Sequence, residues 1–135
     1  MILLNDFFYI KELSKTENEI HAVLNINAKH QILEGHFPGF PVMPGVCMIQ
    51  IVREVFEHAH RVAVRIIKGD NIKFLAVLQP DQYPDVNLTI SHHAEDSEFA
   101  VIANLVSVII EPNSGLPVTF FKFKGTYRKE SVLSR

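Results

Sequence analysis

The residues best suited to chemistry lie in one stretch, 34–56, with the sequence EGHFPGFPVMPGVCMIQIVREVF. A single histidine, His36, stands there among three prolines and three glycines, which restrict or specially shape the backbone. Histidine exchanges a proton near neutral pH, so His36 is a candidate general base. The first polar residue in the apolar segment that follows is Gln50, whose amide forms hydrogen bonds but cannot transfer a proton. The stretch therefore predicts proton transfer at His36, with Gln50 orienting a reacting group.

Backbone donors are expected where this stretch becomes a helix. Pro44 suits the first helical position, since its missing N–H would be unpaired there anyway. The N–H groups of Gly45 and Val46 lack intrahelical partners and lie at the positive end of the helix dipole. They are predicted to stabilise an enolate-like oxygen, an effect worth a few kcal/mol when the geometry is good. The candidate substrate-binding residues around them are apolar: Phe37, Pro38, Phe40, Val42, Met43, Ile49 and Phe74.

The helix that carries Gln50 is predicted to be buried. Apolar residues surround nearly the whole circumference of its first turns, which is typical of a helix covered on most sides. Its later turns are more polar. Glu54 follows Gln50 by one helical turn and shares its face, so Glu54 is a candidate substitute acid, although a surface charge is the simpler interpretation.

The rest of the chain has the pattern of β-strands. Apolar and polar residues alternate in 19–28 and again in 85–93, as in half-buried strands. Further strands are predicted in 62–78, broken at 68–70, in 98–111 and from 119 onward, while 7–13 fits a short helix or a strand. The fold class is therefore α+β, with five or six antiparallel strands wrapped around one long helix in a single domain, 1–135. Pairing with a second copy would help such a small sheet to close.

Composition excludes several classes of function. The net charge of −2 leaves no basic patch, so nucleic acid is not an expected partner. No stretch suits a membrane span, and the apolar start lacks the basic leader of a signal peptide. Cys47 is the single cysteine, which fits a reducing, cytoplasmic location. It lies near a helix N-terminus, where thiolates are stabilised, but a packing role is the preferred interpretation.

Four of the histidines raise the question of a metal site. His58 and His60 lie near the end of the predicted helix, where histidine is favoured, and His92 is followed directly by His93. No pattern of Cys, His and Asp with ligand spacing accompanies them, so no metal is expected.

Two stretches carry a resemblance to a known family. Residues 35–46, GHFPGFPVMPGV, resemble the signature of the FabZ-like 3-hydroxyacyl-[acyl carrier protein] dehydratases of the hotdog superfamily. Residues 71–82, NIKFLAVLQPDQ, resemble a later stretch of the same family. The resemblance implies a hotdog fold in a homodimer or a higher oligomer, with acyl carrier protein as a partner. It implies no cofactor, since the substrate is carried on the phosphopantetheine of acyl carrier protein or coenzyme A.

The resemblance also implies roles for individual residues. His36 would remove the C2 proton of a 3-hydroxyacyl thioester, and the backbone at Gly45 and Val46 would hold its carbonyl oxygen. A carboxylic acid on the helix of the other subunit would help the 3-hydroxyl leave, giving a trans-2-enoyl thioester. The acyl chain would lie in an apolar tunnel at the dimer interface.

The chain departs from this pattern at one position. The family acid falls four residues after Val46, where this sequence has Gln50, and loss of a general acid costs about 10²–10⁴ in rate. One interpretation keeps a dehydratase, with Glu54, Glu34 or His36 itself protonating the leaving oxygen. Another is a thioesterase in which Gln50 and His36 orient a water. A third is a non-catalytic or composite-site subunit, either a heterodimer partner of a related hotdog chain or a binder of acyl carrier protein.

Overall fold

A computed structural model describes residues 2–34 and 41–130, which form one antiparallel sheet and one long helix. The α+β prediction of five or six strands and a single long helix is confirmed, with six strands. The elements in chain order are β1 Phe8–Lys15, β2 Glu19–Ile26, α1 Gln31–Glu34, α2 Gly45–His60, β3 Val64–Phe74, β4 Asp85–Glu95, β5 Glu98–Ile110 and β6 Pro117–Lys129.

The sheet has the strand order β1-β2-β4-β5-β6-β3, and each neighbouring pair is antiparallel. Its inner face follows the alternation in the sequence, because successive side chains of a strand point to opposite faces. In β2, for example, Ile20, Ala22, Leu24 and Ile26 are buried while the residues between them are not. The segment that fitted either a helix or a strand is strand β1, which pairs with β2 from Phe8 opposite Ile26.

Strand β3 forms an edge of the sheet and is exposed along almost its whole length. Only Val64 is buried, whereas Ile66, Ile67 and Ile72 each expose more than a third of their surface. The predicted break at 68–70 is wrong, because β3 is one continuous strand paired with β6. The pairing of β3 with β6 instead has two register shifts, one on either side of Lys68 and Gly69. At each shift an extra residue of β3 forms a bulge.

Helix α2 packs its buried side against the inner face of the sheet. Pro44 is the N-cap and the helix begins at Gly45, one residue later than predicted. The prediction that apolar residues would be covered all round the first turns is wrong for this single chain, since Val46 is 68% exposed. The helix ends at His60, and the left-handed backbone of the C-cap residue Arg61 lets its N–H donate to the carbonyl oxygen of Glu57. Among the described residues, no helix is both long and apolar enough to cross a membrane.

A short helix, α1, precedes the His36 stretch and was not predicted. Its four residues are too few to give a periodic pattern in the sequence. Glu34, one of the candidate proton donors, is the last residue of this helix and is exposed.

Candidate active site

The start of α2 has backbone N–H groups that no residue of the described chain accepts from. The N–H groups of Cys47 and Met48 donate to the carbonyl oxygen of Pro44, at 3.0 and 3.3 Å. Pro44 provides no side-chain cap. Within the described ranges 2–34 and 41–130, the N–H groups of Gly45 and Val46 have no hydrogen-bond acceptor. They lie at the positive end of the helix dipole, where an oxygen that carries negative charge is stabilised.

The two stretches that carried the family resemblance meet at this point. The N–H of Met43 donates to the carbonyl oxygen of Leu78 at 2.8 Å. The ring of Phe74, at the end of β3, lies so close to Gly45 that a Cβ built on Gly45 would be 2.7 Å from two ring carbons. A larger residue at position 45 would therefore require the Phe74 ring to move away from the helix start.

The predicted binding residues are only partly within the described structure. His36, Phe37, Pro38 and Phe40 lie outside the described residues. Met43 is 3% exposed and belongs to the core, while Val42 and Ile49 are half-buried and Phe74 is 53% exposed.

Gln50 and Glu54 lie on one face of α2 and are hydrogen-bonded. The side-chain nitrogen Nε2 of Gln50 donates to Oε2 of Glu54 at 2.7 Å. Glu54 also accepts from the backbone of the N-terminal segment: the N–H of Leu3 reaches both oxygens at 2.9 Å, and that of Leu4 reaches Oε1 at 2.8 Å. This link was missed in the sequence, because nothing local signals a contact between residues 50 positions apart.

Glu54 is buried and is not a charged residue on the surface. Its side chain is only 6% exposed, so the interpretation of Glu54 as a solvated residue of a polar turn is wrong. Its oxygens already accept three backbone bonds and one amide bond. In this state the carboxylate receives hydrogen bonds and organises its neighbours, and its role as a substitute acid stays a prediction.

A cavity of about 530 Å³ opens beside this pair. Its lining includes Gln50 and Glu54 but also Arg53, Glu57 and Arg61, all charged. Burying an aliphatic chain against such charges is unfavourable. The cavity therefore does not resemble the apolar acyl tunnel expected at a dimer interface.

Cys47 is buried near the helix start. Burial raises the pKa of its thiol, which keeps it protonated and poorly nucleophilic. This environment fits the preferred interpretation of Cys47 as a packing residue.

Two of the histidines pair at the other end of α2. Nε2 of His60 lies 3.3 Å from Nε2 of His92, on β4, and both rings contact the ring of Phe56. Burial, with Lys15, His92 and Lys129 nearby, lowers the pKa of His60 to about 4. His60 is thus neutral at pH 7, so it does not act as a cation at the helix end. Among the described residues, no group of three or more His, Cys, Asp or Glu could hold a metal ion.

Comparison with protein families identifies a match over most of the chain. The model of the ApeI-like family, described as ApeI dehydratase, matches residues 12–109. Curated relatives match over shorter segments. The 3-hydroxyacyl-[acyl-carrier-protein] dehydratase FabZ of Bacillus pumilus is 36% identical over 52 residues, which are 37% of this chain and 36% of that protein. The protein of the same name from Novosphingobium aromaticivorans is 48% identical over 42 residues, 30% of this chain and 27% of that protein. These matches span about a third of the relatives' length.

Solved structures match over nearly the whole chain. A chain of the dehydratase heterocomplex ApeI:P from Xenorhabdus doucetiae superimposes with a TM-score of 0.65 at 18% identity, covering 88% of this chain and 96% of that one. An uncharacterised protein from Erwinia carotovora subsp. atroseptica gives a TM-score of 0.60 at 18% identity, covering 92% and 94%. At these identities the likeness shows the fold, and the hotdog prediction is confirmed.

Proposed function

Because this chain belongs to the ApeI-like dehydratase family, we propose that it dehydrates 3-hydroxyacyl thioesters to trans-2-enoyl thioesters. The observation that carries the proposal is the open start of α2. There the N–H groups of Gly45 and Val46 have no acceptor among residues 2–34 and 41–130, and the ring of Phe74 lies against Gly45. Ten residues upstream of Val46 the sequence places His36, the candidate base. A proton acceptor and an oxygen-binding backbone are what abstraction of a proton next to a carbonyl requires.

The proposed reaction is a balanced elimination. His36 takes the C2 proton, and the thioester oxygen gains negative charge that the Gly45 and Val46 N–H groups stabilise. The C3–O bond then breaks, the C2=C3 double bond forms, and the hydroxyl leaves as water. His36 returns the proton to the leaving oxygen, and Gln50 holds the 3-hydroxyl group in place. The carrier is acyl carrier protein, and the setting is fatty-acid or related lipid or polyene synthesis in the cytoplasm.

We propose that a second hotdog chain pairs with this one and covers an exposed edge of its sheet. Edge strand β3 exposes Ile66, Ile67 and Ile72, and Phe74 at its end is 53% exposed. An exposed apolar edge is a surface that another strand can cover by pairing. We propose a homodimer or a larger assembly formed through this edge. Light scattering of the purified chain would measure the assembly directly.

A composite-site subunit is the second candidate function. The observation that favours it is Gln50, since a related chain with an acid at this position would supply what this one lacks. One structural match is a chain of a dehydratase heterocomplex, which makes a heterodimer a reasonable alternative here. In that case the chain alone would be inactive and would gain activity on mixing with the partner.

The test uses the reverse reaction. The purified chain is given a trans-2-enoyl thioester on acyl carrier protein, and loss of the conjugated enoyl absorbance is followed together with release of free thiol. Absorbance loss without thiol supports the dehydratase, and thiol release would instead establish a thioesterase. No change in either signal would favour the composite-site subunit, and candidate partner chains would then be added.

Substitution of the candidate base sharpens the assay. We expect His36→Ala to lower the hydration rate by about 10²–10⁴, the usual loss on removal of a general base. The matched control is His93→Ala, because His93 is an exposed histidine on β4 with 75% of its side chain accessible. Wild-type rates for His36→Ala would refute the assignment of this base.

A further inference from the structure

The outer surface of β3 and β6 carries a concentration of positive charge. On β6 the buried Phe121, Phe123 and Tyr127 face the core, so the residue that follows each of them faces outward. Residues paired across two strands share a face. The cationic residues on this outer surface, here called the basic face, are Arg65, Lys68, Lys73, Lys122, Lys124 and Arg128. They are six of the 13 Lys and Arg residues of the chain.

The basic face was missed in the sequence. The prediction that a net charge of −2 leaves no basic patch is wrong at this place. Strand pairing brings together cations from 65–73 and from 122–128, which lie far apart in the chain. Net charge reports the sum of the charges and not where the fold places them.

Two pairs of cations lie directly opposite each other on the basic face. Lys73 is the partner of Lys122, and Arg65 is the partner of Arg128. Like charges at directly opposite positions of an antiparallel pair repel and lower the stability of the sheet. The arrangement is therefore not explained by the stability of this sheet alone.

Acidic side chains neutralise only part of this charge. Asp70 contacts Lys68 at 3.3 Å, and Glu98 contacts Arg128 at 2.7 Å. The other four residues of the basic face make no ion pair within residues 2–34 and 41–130. Three of these four are lysines, which are exposed along with the arginine. Their positive charge is available to another molecule.

Protection of an edge strand explains only half of the basic face. Charged side chains on an edge discourage pairing with other chains, and β3 is an edge strand, so Arg65 and Lys73 fit this role. Strand β6, in contrast, is paired on both sides, with β5 and with β3. Lys122 and Lys124 therefore protect no edge. A positive surface that spans both strands fits the binding of a negatively charged partner.

One end of the basic face adjoins the candidate site. Lys73 directly precedes Phe74, whose ring lies against Gly45 at the start of α2. Successive residues of a strand point to opposite faces, so Lys73 faces outward and Phe74 faces the helix. Pairing of β3 with a second chain would use its backbone edge and leave this outer face accessible.

We propose that the basic face docks the protein that carries the thioester substrate, through an acidic helix of that carrier. From Arg65 to Lys73 the face is about 25 Å long, which matches a helix of about 17 residues. Carboxylates three or four residues apart share one face of such a helix and meet both rows of cations. An anionic lipid surface fits less well, because the outer face of the sheet also carries Glu19 and Glu98. This inference rests on the proposed function.

The first test measures binding of acyl carrier protein, without an acyl group, to the full chain. We expect the affinity to fall as NaCl is raised from about 50 to about 300 mM, because salt screens exposed charges. Lys122→Glu should weaken binding about tenfold at low salt. The new carboxylate would face Lys73 across the strand pair and relieve its repulsion with a lysine, so Tm should not fall.

The matched control for this charge reversal is Lys15→Glu. Lys15 is an exposed lysine of β1, at the opposite edge of the sheet. The same change in net charge there should leave the affinity for the carrier within twofold. Equal weakening by the two variants, or no weakening by Lys122→Glu, would overturn docking on the basic face.

A kinetic comparison separates docking from chemistry. For a thioester on acyl carrier protein, Lys122→Glu should raise KM about tenfold and leave kcat unchanged. For the same acyl group on pantetheine, which has no protein attached, KM should stay within twofold. An equal rise in KM for both substrates would refute the docking role.

Two further outcomes distinguish this inference from the proposed function. Carrier binding that Lys122→Glu weakens, without turnover of any thioester, would refute the dehydratase and keep the docking face. Turnover of the pantetheine thioester without measurable carrier binding would keep the dehydratase and refute the docking face. Sedimentation with vesicles of phosphatidylglycerol and phosphatidylcholine tests the other partner. Vesicle binding that Lys122→Glu abolishes, with no carrier binding, would overturn the proposal and assign the face to a membrane surface.

Discussion

The two ends of α2 differ in how their unpaired backbone groups are satisfied. A helix leaves unpaired N–H groups at its start and unpaired carbonyls at its end. At the start, no residue in the described part of the chain accepts from the N–H groups of Gly45 and Val46, and Val46 is 68% exposed. At the end, Arg61 closes the last turn, and Phe56 lies among aromatic rings.

The start of α2 is suited to activity, whereas its end contributes to stability. The start has two N–H groups that no described residue pairs, which suits binding of a carbonyl oxygen, and a glycine beside an aromatic ring. The end buries Phe56 against Phe99 and Tyr127, with centroids 4.9 and 5.1 Å apart. Gln50 and Glu54 lie between the two ends and couple the site to the N-terminal segment. Substitutions at the start should therefore change activity, and substitutions at the end should change stability.

The largest effect is expected at the packed end. Phe56→Ala removes a fully buried ring and leaves a cavity among the neighbouring rings, which should lower the free energy of unfolding by about 3–5 kcal/mol. Urea unfolding measures this loss. Ile109→Ala, at a residue of β5 that is 56% exposed, is the control and should change stability by less than about 0.5 kcal/mol. A small loss for Phe56→Ala would mean that this end is not the stable one.

At the reactive end we expect Gly45→Ala to lower kcat/KM by about tenfold, equivalent to ~1.4 kcal/mol. The new Cβ would meet the Phe74 ring at 2.7 Å and displace it from the helix start. Alanine is a better helix former than glycine, so helix propensity predicts no loss of stability. Steady-state kinetics with a Tm measurement test this prediction. If Gly45→Ala lowered Tm but not kcat/KM, the close approach of Phe74 would be structural only.

A smaller effect, dependent on pH, is expected from His60 and His92. Their pKa values in the folded protein are lowered from 6.5 by burial and by Lys15, to about 4 for His60. Between pH 6.5 and about 4 the unfolded chain binds more protons, so stability should fall as the pH falls through this window. His60→Gln should reduce the slope of unfolding free energy against pH. The control His58→Gln, at an exposed helix residue, should keep it, and equal slopes in all three proteins would refute the role of the pair.

The smallest effect is expected for Cys47→Ala. Because burial raises the pKa of the thiol, Cys47 carries little thiolate, and iodoacetamide should not inactivate the native protein. The variant should keep its rate within twofold and lose about 1 kcal/mol of stability from packing. Rapid inactivation of the wild type, absent in Cys47→Ala, would show that the thiol is accessible at the site.

Local patterns predicted much of the fold. The alternation in β2 gave its buried face, and the proline-glycine stretch gave the start of α2 to within one residue. These features depend on side-chain period and on backbone restriction, which are local properties. The break assigned to 68–70 and the exposure assigned to Glu54 were wrong, because both depend on what lies across the sheet or beside the helix.

The sequence by itself determined the family resemblance, the α+β fold with one long helix, and the placement of an amide at the position of the family acid. It also identified Gly45 and Val46 as donors, since a helix start has unpaired N–H groups in any context. The tertiary structure decided that Phe74 lies against Gly45, that β3 is an exposed edge, and that Glu54 holds both Gln50 and the N-terminal backbone. The physical reason is range: these contacts join residues far apart in the chain, and their geometry is fixed only when the sheet packs against α2.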